Sequence, residues 1–169
     1  NLKKKKIVLK KNLLKLINQK KNNIGLSWRG NPNHKRDKVR SIPVESFDKI
    51  FKKFKNFNFF VIQKNLNSEE VNFLSNFPNV INCDDYLDDF SETAMLVSKM
   101  KQIISVDTVL AHISGSLGIP TNLLLPKIPD WRWGFSGSRT NWYPSILILR
   151  QNSIDCWDNV LKNLSSNLS

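Results

Sequence analysis

Thr108 and His112 are four residues apart in the stretch Ile103-Ile-Ser-Val-Asp-Thr-Val-Leu-Ala-His112, a spacing that puts both on one face of a helix, one turn above the other. A hydroxyl, an imidazole and the unpaired first amides of such a helix are the groups that hold a phosphate. Asp107, just before them, is either a ligand contact or an N-cap, and His112 is either a phosphate partner or a packed ring. A second candidate lies in residues 29–40, a polar loop with five Arg or Lys side chains, among them Arg29 and Arg40, and with Gly30, where the backbone can come close to a ligand. Gln63 and Lys64 leave another apolar run. Asp84-Asp85 and Asp88-Asp89 read either as hard oxygen ligands for a divalent cation or as first-turn charges on the helix over 91–100, and the second reading is preferred. Residues 126–145 hold Trp131, Trp133, Trp142 and Tyr143 with Arg132 and Arg139, which suit either a satellite core or a lid whose rings face a flat ligand and whose arginines reach phosphates.

The elements that carry these residues alternate. Short apolar, β-branched runs at 24–28, 58–62, 80–82, 103–106, 121–125 and 145–149 read as strands, and helical patterns separate them. Pro43 in a first turn opens a helix reaching about Lys55 through Phe47, Ile50, Phe51 and Phe54; Ser68-Glu-Glu opens a short one; Cys156, Trp157, Val160, Leu161 and Leu164 mark the last. Six strand–helix alternations predict an α/β, doubly wound (Rossmann-like) six-stranded parallel sheet. With right-handed crossovers the order is 3-2-1-4-5-6, and the switch point falls between the first and fourth strands. Topology then brings Trp28-Arg29-Gly30 beside Asp107-Thr108. No G-x-G-x-x-G follows the first strand and no G-x-x-x-x-G-K-[ST] is present, which disfavours a dinucleotide oxidoreductase and a P-loop enzyme.

Composition narrows the rest. The net charge of +12 is uneven: removing the nine lysines of residues 1–21 leaves 17 basic against 14 acidic side chains. The excess therefore belongs to a leading amphipathic helix, with Ile7, Leu9, Leu13, Leu14, Leu16 and Ile17 on its apolar face, read as a basic linker docking on this domain or a preceding one. The domain proper is 22–169, and its balance argues against nucleic-acid binding. Cys83 and Cys156 have no metal-ligand spacing and imply no disulfide framework, so a reducing cytoplasm is the expected setting. No run is long enough for a membrane span. A start without Met on a charged segment suggests excision from a longer chain.

Five stretches occur together and in order: Gly25-Leu-Ser-Trp-Arg-Gly-Asn-Pro32, Arg40-Ser-Ile-Pro43, Val61-Ile-Gln-Lys64, Ser105-Val-Asp-Thr-Val-Leu-Ala-His112, and Pro129-Asp-Trp-Arg-Trp133 through Trp142-Tyr-Pro144. In this they resemble the C-terminal half of glycosyltransferase family nine, the group that includes the heptosyltransferases of lipopolysaccharide synthesis, and in particular bacterial proteins in which such a domain follows tetratricopeptide repeats. The resemblance spans about residues 22–164. It implies one half of a GT-B glycosyltransferase that binds a nucleoside diphosphate-sugar donor for inverting, metal-independent transfer. Acceptor binding and the catalytic base would lie in an N-terminal half, so the isolated chain is expected to be inactive. Its partners would be the donor and the acceptor domain or repeats of the same protein, with no further cofactor. Matched to the family, Thr108 and the amides after it form the diphosphate turn, and His112 stands one turn on. Asp107 faces sugar hydroxyls, Arg40 is the basic residue before a turn, and Gln63 and Lys64 lie near nucleoside or phosphates. Arg29, Gly30 and Trp133 complete the donor contacts. Heptosyltransferases usually carry Asp-Thr-Gly, whereas Val109 replaces the glycine here, which leaves the donor sugar open. The alternative reading is a non-catalytic nucleotide- or protein-binding module on a degenerate glycosyltransferase fold.

Overall fold

The computed structural model describes Leu13, Ile17 and residues 22–168. Six parallel strands, β1 (Asn22–Ser27), β2 (Phe57–Val61), β3 (Val80–Asn82), β4 (Gln102–Val106), β5 (Thr121–Leu125) and β6 (Ile146–Arg150), form one sheet in the order β3-β2-β1-β4-β5-β6. This is the predicted doubly wound arrangement, with the switch point between β1 and β4, where Ser27 is the register partner of Ser105.

Both faces of the sheet are covered, which is why its strands read as unbroken apolar runs. Alternate residues point opposite ways. Ile24, Leu26, Phe59, Val61, Ile104 and Val106 pack under a 3-10 turn (Val44–Phe47), under α2 (Asp48–Lys53) and under α6 (Asp158–Asn167); α1 (Asp37–Arg40) is a single turn before them. Phe60, Ile62 and Ile103 face the other way, against Leu96 and Val97 of α4 (Phe90–Val97) and Leu110 of α5 (Val109–Ser116). Leu13 and Ile17 are helical, buried and packed in this second cluster, and Asn23 donates to the Ile17 carbonyl at 2.7 Å. The rest of the basic linker segment lies outside the described residues. A third cluster joins Leu123, Leu125, Ile146 and Ile148 to Ala111 and Trp133.

Several boundaries differ from expectation. The first strand begins at Asn22 and releases Trp28, whose indole turns inward to donate to Glu70 at 2.9 Å. The helix expected from Pro43 to Lys55 splits into the 3-10 turn and the short α2. The polar loop 29–40 ends in α1, where Asp37 is buried and accepts from Arg40 Nε and Ser41 Oγ, both at 3.1 Å. The acidic run is accounted for locally: Asp89 caps α4 by accepting from the Glu92 amide at 2.8 Å, and Asp84 lies 3.5 Å from Lys64. Among the described residues no three His, Cys, Asp or Glu side chains converge as a metal site would need, and no helix is long and apolar enough to cross a membrane.

Candidate functional site

The carboxyl ends of β1, β2 and β4 open into a cavity of about 900 Å³ at the switch point, the place where doubly wound sheets bind ligands. Ser27, Arg29, Gly30, Arg40, Gln63, Lys64, Thr108 and Val109 line it, so most of the residues singled out in sequence meet there. Leu87 and Phe90 also line it, beside Asp88 and Asp89.

At the β4 end, α5 begins without a side-chain cap. Thr108 is in the N-cap position, yet its Oγ1 pairs with Ser105 Oγ at 3.1 Å instead of turning back to the helix amides. By contrast α3 (Ser68–Leu74) and α4 are capped by Asn67 and Asp89. The Ala111 amide turns back to the Thr108 carbonyl at 3.1 Å, while the Val109 and Leu110 amides keep their hydrogen-bonding capacity at the positive end of the helix dipole.

The basic side chains of the cavity already have partners. Arg29 forms a forked pair with Glu70, Nε to Oε1 at 2.8 Å and Nη2 to Oε2 at 2.9 Å, and donates to the Asn65 carbonyl at 2.7 Å. Arg40 touches Asp37 and reaches across the crevice to donate to the Asp107 carbonyl at 2.6 Å. It lies against Gly30 so closely that a side chain there would collide with the Arg40 guanidinium. Lys64 bonds the Asp84 carbonyl at 3.0 Å and lies 3.8 Å from Asp88. Gln63, buried, accepts from Ser27 Oγ at 3.0 Å and the Arg29 amide at 3.2 Å, tying the ends of β1 and β2 together.

Three of the residues fall elsewhere. Asp107 is buried and lines a separate cavity of about 50 Å³ with His34, Arg36, Arg40, Asp130 and Arg132, so Arg40 stands as the wall between two compartments. His112 does not line the large cavity. Its ring stacks on Trp133, with centroids 5.2 Å apart and planes at 27°, and its Nδ1 is 3.1 Å from the Tyr143 hydroxyl. Burial lowers the His112 pKa; Asp107 and Asp130 oppose that shift and Arg132 reinforces it. Burial thus favours the neutral ring, which serves here as an aromatic and hydrogen-bonding partner of Trp133 and Tyr143. Trp133 is itself buried in the third cluster.

The segment 126–145 thus divides. Trp133 and Tyr143 fold down as a satellite core, while Trp131, Phe135 and Trp142 stay exposed. Gly115 of α5 sits under Tyr143: an added Cβ would lie 2.8 Å from its Cδ1 and 2.9 Å from its Cβ. Gly115→Ala is expected to push Tyr143 off His112 at a cost of about 1–3 kcal/mol, read as a lower unfolding midpoint with loss of near-ultraviolet dichroism from the Trp133 cluster.

Asp37 and Glu70 were not singled out as site residues in the sequence, and Tyr143 stood out only as one ring of the aromatic segment 126–145. Asn67-Ser-Glu-Glu70 has the capping-box spacing, realised here with Asn67 Oδ1 accepting from the Glu70 amide at 2.8 Å and Glu70 Oε2 accepting from the Asn67 amide at 3.0 Å. Asp37 and Arg40 are i and i+3 on a helical turn.

No protein-family model matches the chain, and no curated protein sequence matches it. Solved structures do. The fold is similar to that of an Escherichia coli heptosyltransferase, WaaC with ADP-2-deoxy-2-fluoro heptose, at a TM-score of 0.58 and 14% identity over 88% of this chain and 44% of that one. It is also similar to E. coli ADP-heptose lps heptosyltransferase II, at 0.55 and 12% over 89% and 48%. A glycosyl transferase family 9 protein of Veillonella parvula gives 0.52 and 12% over 79% and 36%. What is shared at these identities is the fold, an α/β Rossmann-like parallel sheet. The chain spans less than half the length of each of these proteins.

Proposed function

We propose that this chain is the donor-binding half of a family-nine GT-B glycosyltransferase, holding a nucleoside diphosphate-sugar for inverting, metal-independent transfer. The observation that carries the reading is the uncapped start of α5, opening with Thr108 and Val109 into the large switch-point cavity beside Arg40. Uncapped amides and a guanidinium are suited to the charge that grows on a departing diphosphate. The apolar side chains of Leu87 and Phe90 in the lining suit a base, and the compartment holding Asp107 suits a sugar hydroxyl that donates to its carboxylate. In this reading His112 acts as a positioning residue, keeping Trp133 and Tyr143 against the helix that carries Thr108. Acceptor and base come from another lobe of the same protein, and the reaction runs in the cytoplasm.

A second reading has its own support. Arg29, Arg40 and Lys64 each lie against a carboxylate, which reduces the positive field in the cavity. A lobe that recognises a nucleotide or a protein without turnover would tolerate this.

Thr108→Val tests the first reading at its key residue. It keeps the shape, removes the hydroxyl, and is expected to weaken nucleoside diphosphate binding by about 1–2 kcal/mol with the fold intact and only a small drop in melting temperature from the lost Ser105 contact. An unaltered affinity would remove Thr108 from the site.

A further inference from the structure

Gln63 is only 7% exposed, yet it belongs to the lining of the switch-point cavity. Its Oε1 accepts from the Ser27 hydroxyl at 3.0 Å and from the Arg29 amide at 3.2 Å, so both lone pairs of that oxygen are in use. A backbone amide can only donate, which fixes the side-chain amide with its oxygen, not its nitrogen, against Arg29. Among the described residues nothing accepts from Nε2, and that nitrogen is not sealed off from the cavity. A buried amide whose acceptor is spent and whose donors are open can recognise an acceptor and nothing else.

Strand register indicates which part of a ligand would meet it. β1 separates β2 from β4, with Leu26 beside Val61 and Ser27 beside Ser105, so the three carboxyl ends lie level. Neighbouring strands are about 4.8 Å apart, which sets Gln63, two residues past β2, about 10 Å to the side of Thr108 and Val109. A phosphate held at α5 does not span that gap, whereas a ribose with its base does. Leu87 and Phe90 of the same lining follow β3, the strand beyond β2, and offer apolar side chains to a ring. We propose that Gln63 selects the base of the nucleotide: Nε2 donates to a ring carbonyl, so the lobe takes a base with an oxo group, uracil, guanine or cytosine, and disfavours adenine. The N1 and N7 atoms of adenine also accept, but each adjoins the 6-amino group, whose hydrogens need the oxygen that Gln63 has already given to Ser27 and Arg29. The proposal rests on the donor-site reading and deepens it.

The experiment is calorimetry of the 169-residue chain with uridine, guanosine, cytidine and adenosine diphosphates and with inorganic pyrophosphate, on the wild type and on Gln63→Glu. Glutamate keeps an oxygen for Ser27 and Arg29 but has no N–H to offer. In the wild type at least one oxo-base diphosphate should bind about tenfold or more tightly than adenosine diphosphate, because a buried donor without its acceptor is left unpaired. In Gln63→Glu that preference should disappear. Pyrophosphate has no base and reports the cost of the added charge alone, so its affinity should fall less than that of the preferred diphosphate. Adenosine diphosphate binding as tightly as the best of the other three overturns the base selection and leaves the donor site standing. A preference that survives in Gln63→Glu does the same, as does an equal loss of pyrophosphate. Silence from all four diphosphates and from pyrophosphate overturns the donor site and this proposal together. The wild-type comparison needs no variant, so it decides even where Gln63→Glu is less stable.

Discussion

Glu70→Leu is expected to destabilise the protein by about 3 kcal/mol, because it strands a largely buried guanidinium and removes four hydrogen bonds at once. The Glu70 carboxylate accepts from Trp28 Nε1, from Arg29 twice and from the Asn67 amide. It therefore joins the end of β1 to the start of α3. Burial alone would raise the Glu70 pKa, yet the hydrogen bonds from Arg29, Asn67 and Trp28, with the Arg29 charge, hold it below the ordinary value of 4.5. A carboxyl depressed in the folded state stabilises fully above its unfolded pKa, and that contribution is lost as pH falls through the folded one. The wild type should accordingly lose stability as pH falls below about 4.5, and Glu70→Leu should show a shallower acid slope. Urea titrations from pH 3 to pH 7 on both proteins give the two curves; parallel slopes would mean that Glu70 is not held as an ion.

Arg40→Met has the second large effect, and it reaches function as well as stability. The substitution keeps much of the aliphatic stem but leaves the buried Asp37 carboxylate with Ser41 as its remaining side-chain donor and releases the Asp107 carbonyl. The loss should be about 3 kcal/mol. Because the Arg40 side chain lines both cavities and bonds the Asp107 carbonyl just before α5, folded protein should also bind nucleoside diphosphate at least tenfold more weakly, about 1.4 kcal/mol. Arg40→Lys separates the roles: it restores a charge but not the fork that spans Asp37 and the Asp107 carbonyl, and should recover less than half of either loss. Full recovery with lysine would show that charge alone matters at this position.

The sheet was legible because its determinants are local and additive. Runs such as Phe59-Phe-Val-Ile62 and Ile103-Ile104 declare strands buried on both faces, and crossover handedness orders them, so the meeting of Gly30 with Thr108 followed from topology. What the sequence concealed was pairing between distant charges. Arg29 looks like a free phosphate ligand in a polar loop, and nothing near it in sequence indicates that Glu70, on another element, takes its guanidinium. Lys64 and Asp84 are hidden in the same way. The spacing of Thr108 and His112 correctly implied a shared helix, but whether His112 meets a ligand or an aromatic depends on Trp133 and Tyr143 folding back from residues 126–145. Asp107 shows how finely direction matters: it adjoins Thr108 in sequence yet faces the smaller cavity, because a turn between strand and helix sends neighbouring side chains opposite ways.

The donor site is tested most directly by calorimetric titration of the whole chain with uridine, guanosine, adenosine and cytidine diphosphates, each carried to millimolar concentration. One of the four should bind saturably at a single site, with an affinity that falls in Arg40→Met and in Thr108→Val. No heat from any of the four, by a chain that circular dichroism shows to be folded, would contradict a donor site at the switch point.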